Sequence, residues 1–192
     1  MRNRDILNRI KWIVLLINFF LKIFGKKLNY IFFKGVKNFP GKTGILLRFV
    51  TIKNCTSYCG WNVCLKKGVI IKNPYQLSIG NNVSINENCF LDALGGIEIG
   101  NDVSIAHDVS IISFEHVYDN LNIPIKDQGL KSKKIKINDN VWVAAKAVLL
   151  AGTVINSGAI IGASAVVTKS CEKNTIYGGI PAKAIKKRGE EQ

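Results

Sequence analysis

From Ile137 to Glu172 the chain repeats every six residues: INDNVW, VAAKAV, LLAGTV, INSGAI, IGASAV, VTKSCE. Each block opens on an aliphatic residue: Ile137, Val143, Leu149, Ile155, Ile161 and Val167. The fifth position is small or thin: Val141, Ala147, Thr153, Ala159, Ala165 and Cys171. A period of six is an even multiple of the strand period and matches no helix. The frame extends backwards through Ile99, Ile105 and Ile111, through Ile79, Ile85 and Leu91, and through Cys59, Leu65 and Ile71. These triplets start at 59, 79 and 99, so two extra residues recur after each third block. Tyr75 and Glu115 are the large or charged exceptions at the fifth position, and both close a third block.

The pattern predicts a triangular solenoid in which each block supplies one short strand and one corner. The aliphatic opener points inward, and the corner admits only a slim residue. Successive coils stack about 4.8 Å apart. One coil cannot bury its own apolar side, but a stack buries a continuous core. A helix would scatter openers spaced by six around its circumference. The fold class expected is therefore all-β, a solenoid of about five triangular coils over residues 45–174. Residues 1–44 precede it and 175–192 form a tail.

Residues 6–24, ILNRIKWIVLLINFFLKIF, are the most apolar stretch. The run is interrupted by Asn18 and bracketed by Lys11 and Lys22, too short for the roughly 20 apolar residues of a membrane span. Arg2, Arg4 and Arg9 resemble the basic start of a signal peptide, but Asp5 sits among them and no small-x-small cleavage site follows. As a helix it carries a narrow polar stripe of Arg4, Lys11, Asn18 and Lys22, with Gly25 as the C-cap. Two readings stay open: an interfacial helix in peripheral association with a membrane, or a cover for an open end of the stack. Residues 26–44 read as a basic connector.

Charge and cysteines narrow the partners. Lys and Arg number 27 against 13 Asp and Glu, a net charge of +14, which points to an anionic partner. The basic residues are dispersed and carry no recognition motif, so nucleic acid is not expected. Cys55, Cys59, Cys64, Cys89 and Cys171 have no metal spacing and read as reduced, buried thiols of a cytosolic protein.

The frame breaks after Ile111 and resumes at Ile137, leaving a long loop extruded near residues 113–134. Loops of this length inside a compact domain are commonly functional. His116 lies at its start, and His107 sits mid-block, where an outward, solvated position is expected.

Blocks such as IGNNVS, IGNDVS and IGASAV, with His116, PIKDQG, INDNVWVAA, GASAVVTKS and YGGIPAKAI, resemble the hexapeptide-repeat acyltransferases. The likeness covers roughly residues 59–187 and points to the sugar O-acetyltransferase branch, with its galactoside, maltose and polysaccharide acetyltransferases. It implies a left-handed parallel β-helix, a homotrimer with sites between subunits, and acetyl-CoA as co-substrate without a metal. It implies His116 as general base in direct transfer and Asn86 as a polarising contact to the acceptor. Asp92, Asp119 and Glu115 are candidates for contacting the acceptor or orienting the base. For the coenzyme it implies Trp142, Ala144, Ala145, Gly162, Ala163, Thr168, Lys169, Pro181 and Lys183. Ala144 stands where the family has Gly, and Lys183 offers a point charge rather than a fork.

The function expected is acetyl transfer to a sugar hydroxyl of a surface polysaccharide or its precursor, in the cytoplasm or peripherally at the cytosolic membrane face. N-acylation of an amino sugar and serine O-acetylation are the alternatives within the fold. A non-catalytic solenoid and a γ-type carbonic anhydrase are the others. The last needs three His ligands, and the chain has two His.

Overall fold

The computed structural model describes residues 11–190. Positions 6–10 of the expected helix, and with them Arg2, Arg4 and Arg9, lie outside the described residues. Among the described residues three helices come first, α1 (Lys11–Lys22), α2 (Gly25–Val36) and α3 (Gly41–Lys53). Gly25 takes φ +66° and turns the chain out of α1 as expected, but the chain re-enters a helix at once. The stretch read as a basic connector is thus helical, and α3 runs across the boundary expected at residue 45. Gly41, also at positive φ, turns the chain into α3. Gly44 provides clearance inside it, because a Cβ there would meet the Phe39 carbonyl oxygen at 2.0 Å.

The solenoid follows. Its first coil is β1 (Tyr58–Cys59), β2 (Cys64–Leu65) and β3 (Ile70–Lys72). The second is β4 (Leu77–Ile79), β5 (Ser84–Ile85) and β6 (Phe90–Asp92). The third is β7 (Ile97–Ile99), β8 (Ser104–Ile105) and β9 (Ser110–Ile112). A two-stranded antiparallel ribbon, β10 (Phe114–His116) and β11 (Leu130–Ser132), then leaves the stack. The fourth coil is β12 (Ile135–Ile137), β13 (Trp142–Val143) and β14 (Val148–Leu150). The fifth is β15 (Val154–Ile155), β16 (Ile160–Ile161) and β17 (Val166–Val167).

A sixth coil begins at Cys171, bridged to Ile155, and continues in β18 (Thr175–Gly178). β19 (Lys183–Lys187) turns back antiparallel on β18. The coil count is therefore about six rather than five, and the expected tail is a strand pair. The six-residue frame runs two residues short between Val167 and Cys171 but the pairing holds, since Cys171 meets Ile155, and Ile176 and Tyr177 stay in register with Ile160 and Ile161.

Stacking produces three parallel faces, here called first, second and third by the order in which each coil visits them. Every block opener, from Cys59 to Val167, is buried, as the period requires. The corners have a rule of their own. The fourth position of the regular blocks takes positive φ: Asn62, Asn82, Asp102 and Asn140 at one corner, and Gly68, Asn88, Asp108, Lys146 and Ser164 at the next. Asn and Asp tolerate this left-handed conformation best among residues with a Cβ. The side chains bond from coil to coil, Asn62 Nδ2 to Asn82 Oδ1 at 2.9 Å and Asn82 Nδ2 to Asp102 Oδ1 at 3.0 Å.

The open edge of the first coil is covered by α3, whose Ile45, Phe49, Val50 and Ile52 are buried. Arg48, 1% exposed, fastens the lid. Its Nε donates to the Leu65 carbonyl at 2.9 Å, and Nη1 donates to the carbonyls of Val36, Lys37 and Phe39 at 3.2, 3.2 and 2.8 Å. One guanidinium thus caps the C-terminus of α2 and ties it to the sheet edge.

Coil spacing leaves no room at Gly80, where a Cβ would lie 2.5 Å from the Gly100 oxygen. Gly80→Ala is expected to destabilise the fold by about 1–3 kcal/mol, read as a lower urea midpoint with unchanged m-value.

Candidate active site

The candidate side chains sit on two corners. The corner between the second and third faces is a column joined coil to coil by backbone bonds. Asn88 N–H donates to Lys67, Asp108 to Glu87, Lys146 to His107 and Ser164 to Ala145. This column presents Asn86, Ala144, Ala145, Gly162 and Ala163. Asn86 follows β5, and its Nδ2 donates to the Ile105 carbonyl at 2.7 Å, which holds the side chain against the next coil. Among the described residues, the backbone N–H groups of Ala145 and Ala163 donate to no acceptor. Small side chains and free donors therefore line one continuous strip.

The strip ends at the β18–β19 turn. Ala182 N–H donates to the Val166 carbonyl at 2.8 Å, which brings Pro181 and Lys183 over the last coil. Trp142 stands on the second face, half exposed, flanked by Ser104 and Ile160 on the neighbouring strands. His107 projects outward from the column, as expected, with its Nδ1 3.0 Å from Asp108 Oδ2. That hydrogen bond holds the Asp108 carboxyl below its usual range.

The corner between the third and first faces carries the rest. Asp92 closes β6, is 5% exposed, and its Oδ1 accepts from Asn73 Nδ2 at 2.7 Å. The β10–β11 ribbon springs from the same corner one coil further on. Its root is the buried Ser113, whose Oγ donates to the Asp92 carbonyl at 2.7 Å and accepts from Gly95 N–H at 2.8 Å. Its tip is tied by Gln128 of the PIKDQG run, which bonds the backbone of Asn120 and Ile123. Thr168 and Lys169 lie exposed at this corner two coils above.

His116 sits on β10 opposite Leu130, exposed, and its imidazole makes no hydrogen bond or ion pair among the described residues. Glu115 cannot orient it within the strand, because successive side chains point to opposite faces. Asp119 lies beyond the strand and makes no bond to it. One chain thus groups Asn86 with the small-residue strip, and groups His116 with Asp92, Glu115, Asp119, Thr168 and Lys169. The third face separates the two groups. Among the described residues, no three His, Cys, Asp or Glu side chains converge as metal ligands.

A feature not anticipated from the sequence adjoins Asn86. The α2–α3 turn and the first two coils enclose a cleft of about 320 Å³, lined by Phe39, Lys42, Arg48, Lys66, Lys67 and Glu87 among others. Lys66 pairs with Glu87 at 3.6 Å. The lysine pair was visible in the sequence, but only the helical turn closes the cleft over it.

Similarity to known proteins follows this geometry. The family described as bacterial transferase hexapeptide (six repeats) matches residues 134–169. The putative lipopolysaccharide biosynthesis O-acetyl transferase WbbJ of Escherichia coli is 35% identical over 118 residues, 58% of this chain and 60% of that protein. The dTDP-4-amino-4,6-dideoxy-D-glucose acyltransferase of Escherichia coli is 30% identical over 142 residues, 60% of this chain and 74% of that protein. A maltose O-acetyltransferase from Clostridium difficile has the same fold, with TM-score 0.77 at 24% identity over 88% of this chain and 89% of that one. The chain belongs to the hexapeptide-repeat transferases, and its solenoid is their left-handed β-helix. It spans about half the length of several curated relatives that it matches.

The cysteines stand apart from both corners' chemistry. All five are buried and none forms a disulfide. Burial pushes the Cys55 and Cys59 thiols up to about 12, and those of Cys89 and Cys171 to about 11. A raised thiol pKa leaves little thiolate near neutrality, and the thiolate is the nucleophile. Iodoacetamide at pH 8 is expected to leave these four unmodified in the native protein and to label all five after unfolding in guanidinium. Mass spectrometry of the intact chain reads both states.

Proposed function

We propose that this chain is an acetyl-CoA-dependent O-acetyltransferase acting on a sugar hydroxyl of a surface polysaccharide or its precursor, in the cytosol or at the cytosolic membrane face. The observation that carries the reading is the division of labour between corners. One corner offers a strip of small residues with free N–H donors, and the other an exposed histidine on a projecting ribbon. The relatives named as O-acetyl transferase and acyltransferase support the same chemistry.

In this reading His116 accepts the proton of the acceptor hydroxyl as its oxygen attacks the thioester carbonyl. The carbonyl oxygen becomes an oxyanion, and the free N–H of Ala145 is the donor placed to meet it. The C–S bond then breaks, and His116 returns its proton to the leaving thiolate, so no acyl-enzyme forms. Ala144, Gly162 and Ala163 leave width for the coenzyme's thin arm. Thr168, Lys169 and Lys183 supply polar and cationic contacts to its phosphates, with Trp142 and Pro181 as flat apolar walls. Asn86 holds the acceptor, and the basic cleft beside it extends that contact.

The two corners meet only if a second copy supplies the other half. The ribbon is suited to reach it: Tyr118, Leu121, Ile123, Ile125 and Leu130 are exposed along it, Leu121 by 96%. A homotrimer, as the family resemblance implies, would cover this apolar edge and pair each strip with a neighbour's His116.

A second reading, N-acylation of an amino sugar, rests on the likeness to the dTDP-amino-sugar acyltransferase. Parallel assays with hydroxyl and amino acceptors separate the two.

His116→Ala is expected to lower kcat by about 10²-fold or more with coenzyme A affinity unchanged by calorimetry. Wild-type turnover in that variant would remove His116 from the mechanism. Co-assembly of His116→Ala chains with Asn86→Ala chains is expected to restore turnover that neither variant shows alone. Failure of mixed assemblies to recover would place both residues in one chain's site.

A further inference from the structure

Helix α1 is apolar on both sides. A helix packed on a protein ordinarily turns its apolar stripe inward and its polar residues to water. In α1 Val14 is buried and Ile17 and Leu21 pack on the core, with the polar Asn18 buried beside them. Asn18 is 6% exposed, and its Oδ1 accepts from Asn54 Nδ2 at 2.8 Å. Lys11 Nζ stands 5.5 Å from the ring centre of Trp61. Lys22 lines the groove against Lys53, Asn54 and Tyr58. Of the polar stripe legible in the sequence, Asn18 is buried against the solenoid, while Lys11 and Lys22 are exposed at the margins of the contact.

The opposite side is apolar and uncovered. Trp12, Leu15, Leu16, Phe19, Phe20 and Ile23 recur at spacings of three and four, and each is more than half exposed. Phe24 and Phe32 of the following turn and α2 extend the stripe, their rings 5.9 Å apart. Lys22, Lys26 and Lys27 are exposed at the α1–α2 turn, beside Ile23 and Phe24. Neither helix sequence, KWIVLLINFFLK or GKKLNYIFFKGV, contains an acidic residue.

We infer that the outer face of α1 and the adjoining part of α2 is a docking surface for an anionic lipid bilayer. Contiguous exposed apolar surface of this kind marks an interaction site rather than ordinary protein surface. No helix among the described residues is long and apolar enough to cross a membrane. The twelve residues of α1 reach only about 18 Å, against a hydrocarbon core of about 30 Å. The helix lies in the interface, with its aromatic and aliphatic side chains among the acyl chains and its turn lysines at headgroup level. Charge selects the bilayer over a second copy of this face. A second copy of this face would bring the further lysines of the two helices and no acid from either, whereas anionic headgroups attract the turn lysines. The surface itself rests on α1 and α2 alone. Its consequence, an acceptor carried on a lipid, rests on the transferase reading.

Flotation of the full chain with vesicles of phosphatidylcholine and phosphatidylglycerol tests this directly. The protein is expected to float with them, and Phe19→Glu/Phe20→Glu to lower the floating fraction about tenfold or more. Its mass by light scattering and its turnover on a soluble sugar are expected to be unchanged. Lys22→Gln/Lys26→Gln/Lys27→Gln is a second variant that alters only exposed charge. It is expected to weaken flotation on these vesicles and not on pure phosphatidylcholine. The inference is overturned if the wild-type chain stays unbound, if the Phe19/Phe20 variant floats like wild type, or if that variant floats but loses its assembled mass, which would make the stripe a contact between copies. Flotation needs no turnover, so a chain that binds vesicles but acetylates nothing would sink the transferase reading and leave the docking surface standing.

Discussion

Everything in this protein depends on one coil being able to sit directly on the next at backbone distance. The backbone bonds that do this run in register up all three faces, as where Ser84 donates to Val103 and Phe90 to Val109. At such spacing the interior takes one aliphatic opener per strand, with a second buried aliphatic in β4, β7 and β12 (Leu77, Ile97 and Ile135), and the corner at Gly80 has no room for a side chain. The six-residue period is the sequence expression of that limit. The solenoid's core is correspondingly dry and uniform, with Ile85, Ile105, Val143 and Ile161 stacked above one another at 0% exposure.

A stack built this way has two open ends, and the chain closes them differently. At the start, α3 lies across the first coil, and Arg48 joins four carbonyls, two of which, Val36 and Lys37, also accept from the Phe39 and Gly68 N–H groups. At the finish, β19 reverses on β18, so the last parallel edge is met by an antiparallel strand. Both closures also shape the candidate site. The α2–α3 turn walls the basic cleft beside Asn86, and the terminal turn brings Pro181 and Lys183 over the strip of small residues.

Most of the architecture was legible because inward residues repeat without exception; all fifteen openers from Cys59 to Val167 are buried. The corner rule was equally present, as Asn, Asp or Gly at most fourth positions, but Lys146 and Ser164 interrupt it and conceal the conformation they share. The N-terminal helices were only partly legible. Gly25 read as a helix C-cap and residues 26–44 as a basic connector, whereas Gly25 and Gly41 mark the starts of two helices and Gly44 gives clearance within one. The last coil escaped notice because the frame is two residues short before Cys171 while the pairing continues. For the site, the place where His116 leaves the frame was readable. What orients its ring was not, since strand alternation turns Glu115 away and Asp119, beyond the strand, makes no bond to it. The setting of α1 could not be read either, because a stretch apolar all round does not show which side packs on the solenoid.

The regular rise of the stack also makes the molecule a ruler. Asn86 lies at the level of the second coil, and Thr168 and Lys169 at that of the fifth, so three rises of about 4.8 Å set them about 14 Å apart along the axis. Neither end of that interval is placed by a flexible loop. Its length is an integer number of coils, and loss or gain of one repeat would change it by a single step while leaving each face and corner intact. Reach along the groove is thus quantised by the repeat, whereas the chemistry at any level is free to vary with the outward residues that carry no part of the core.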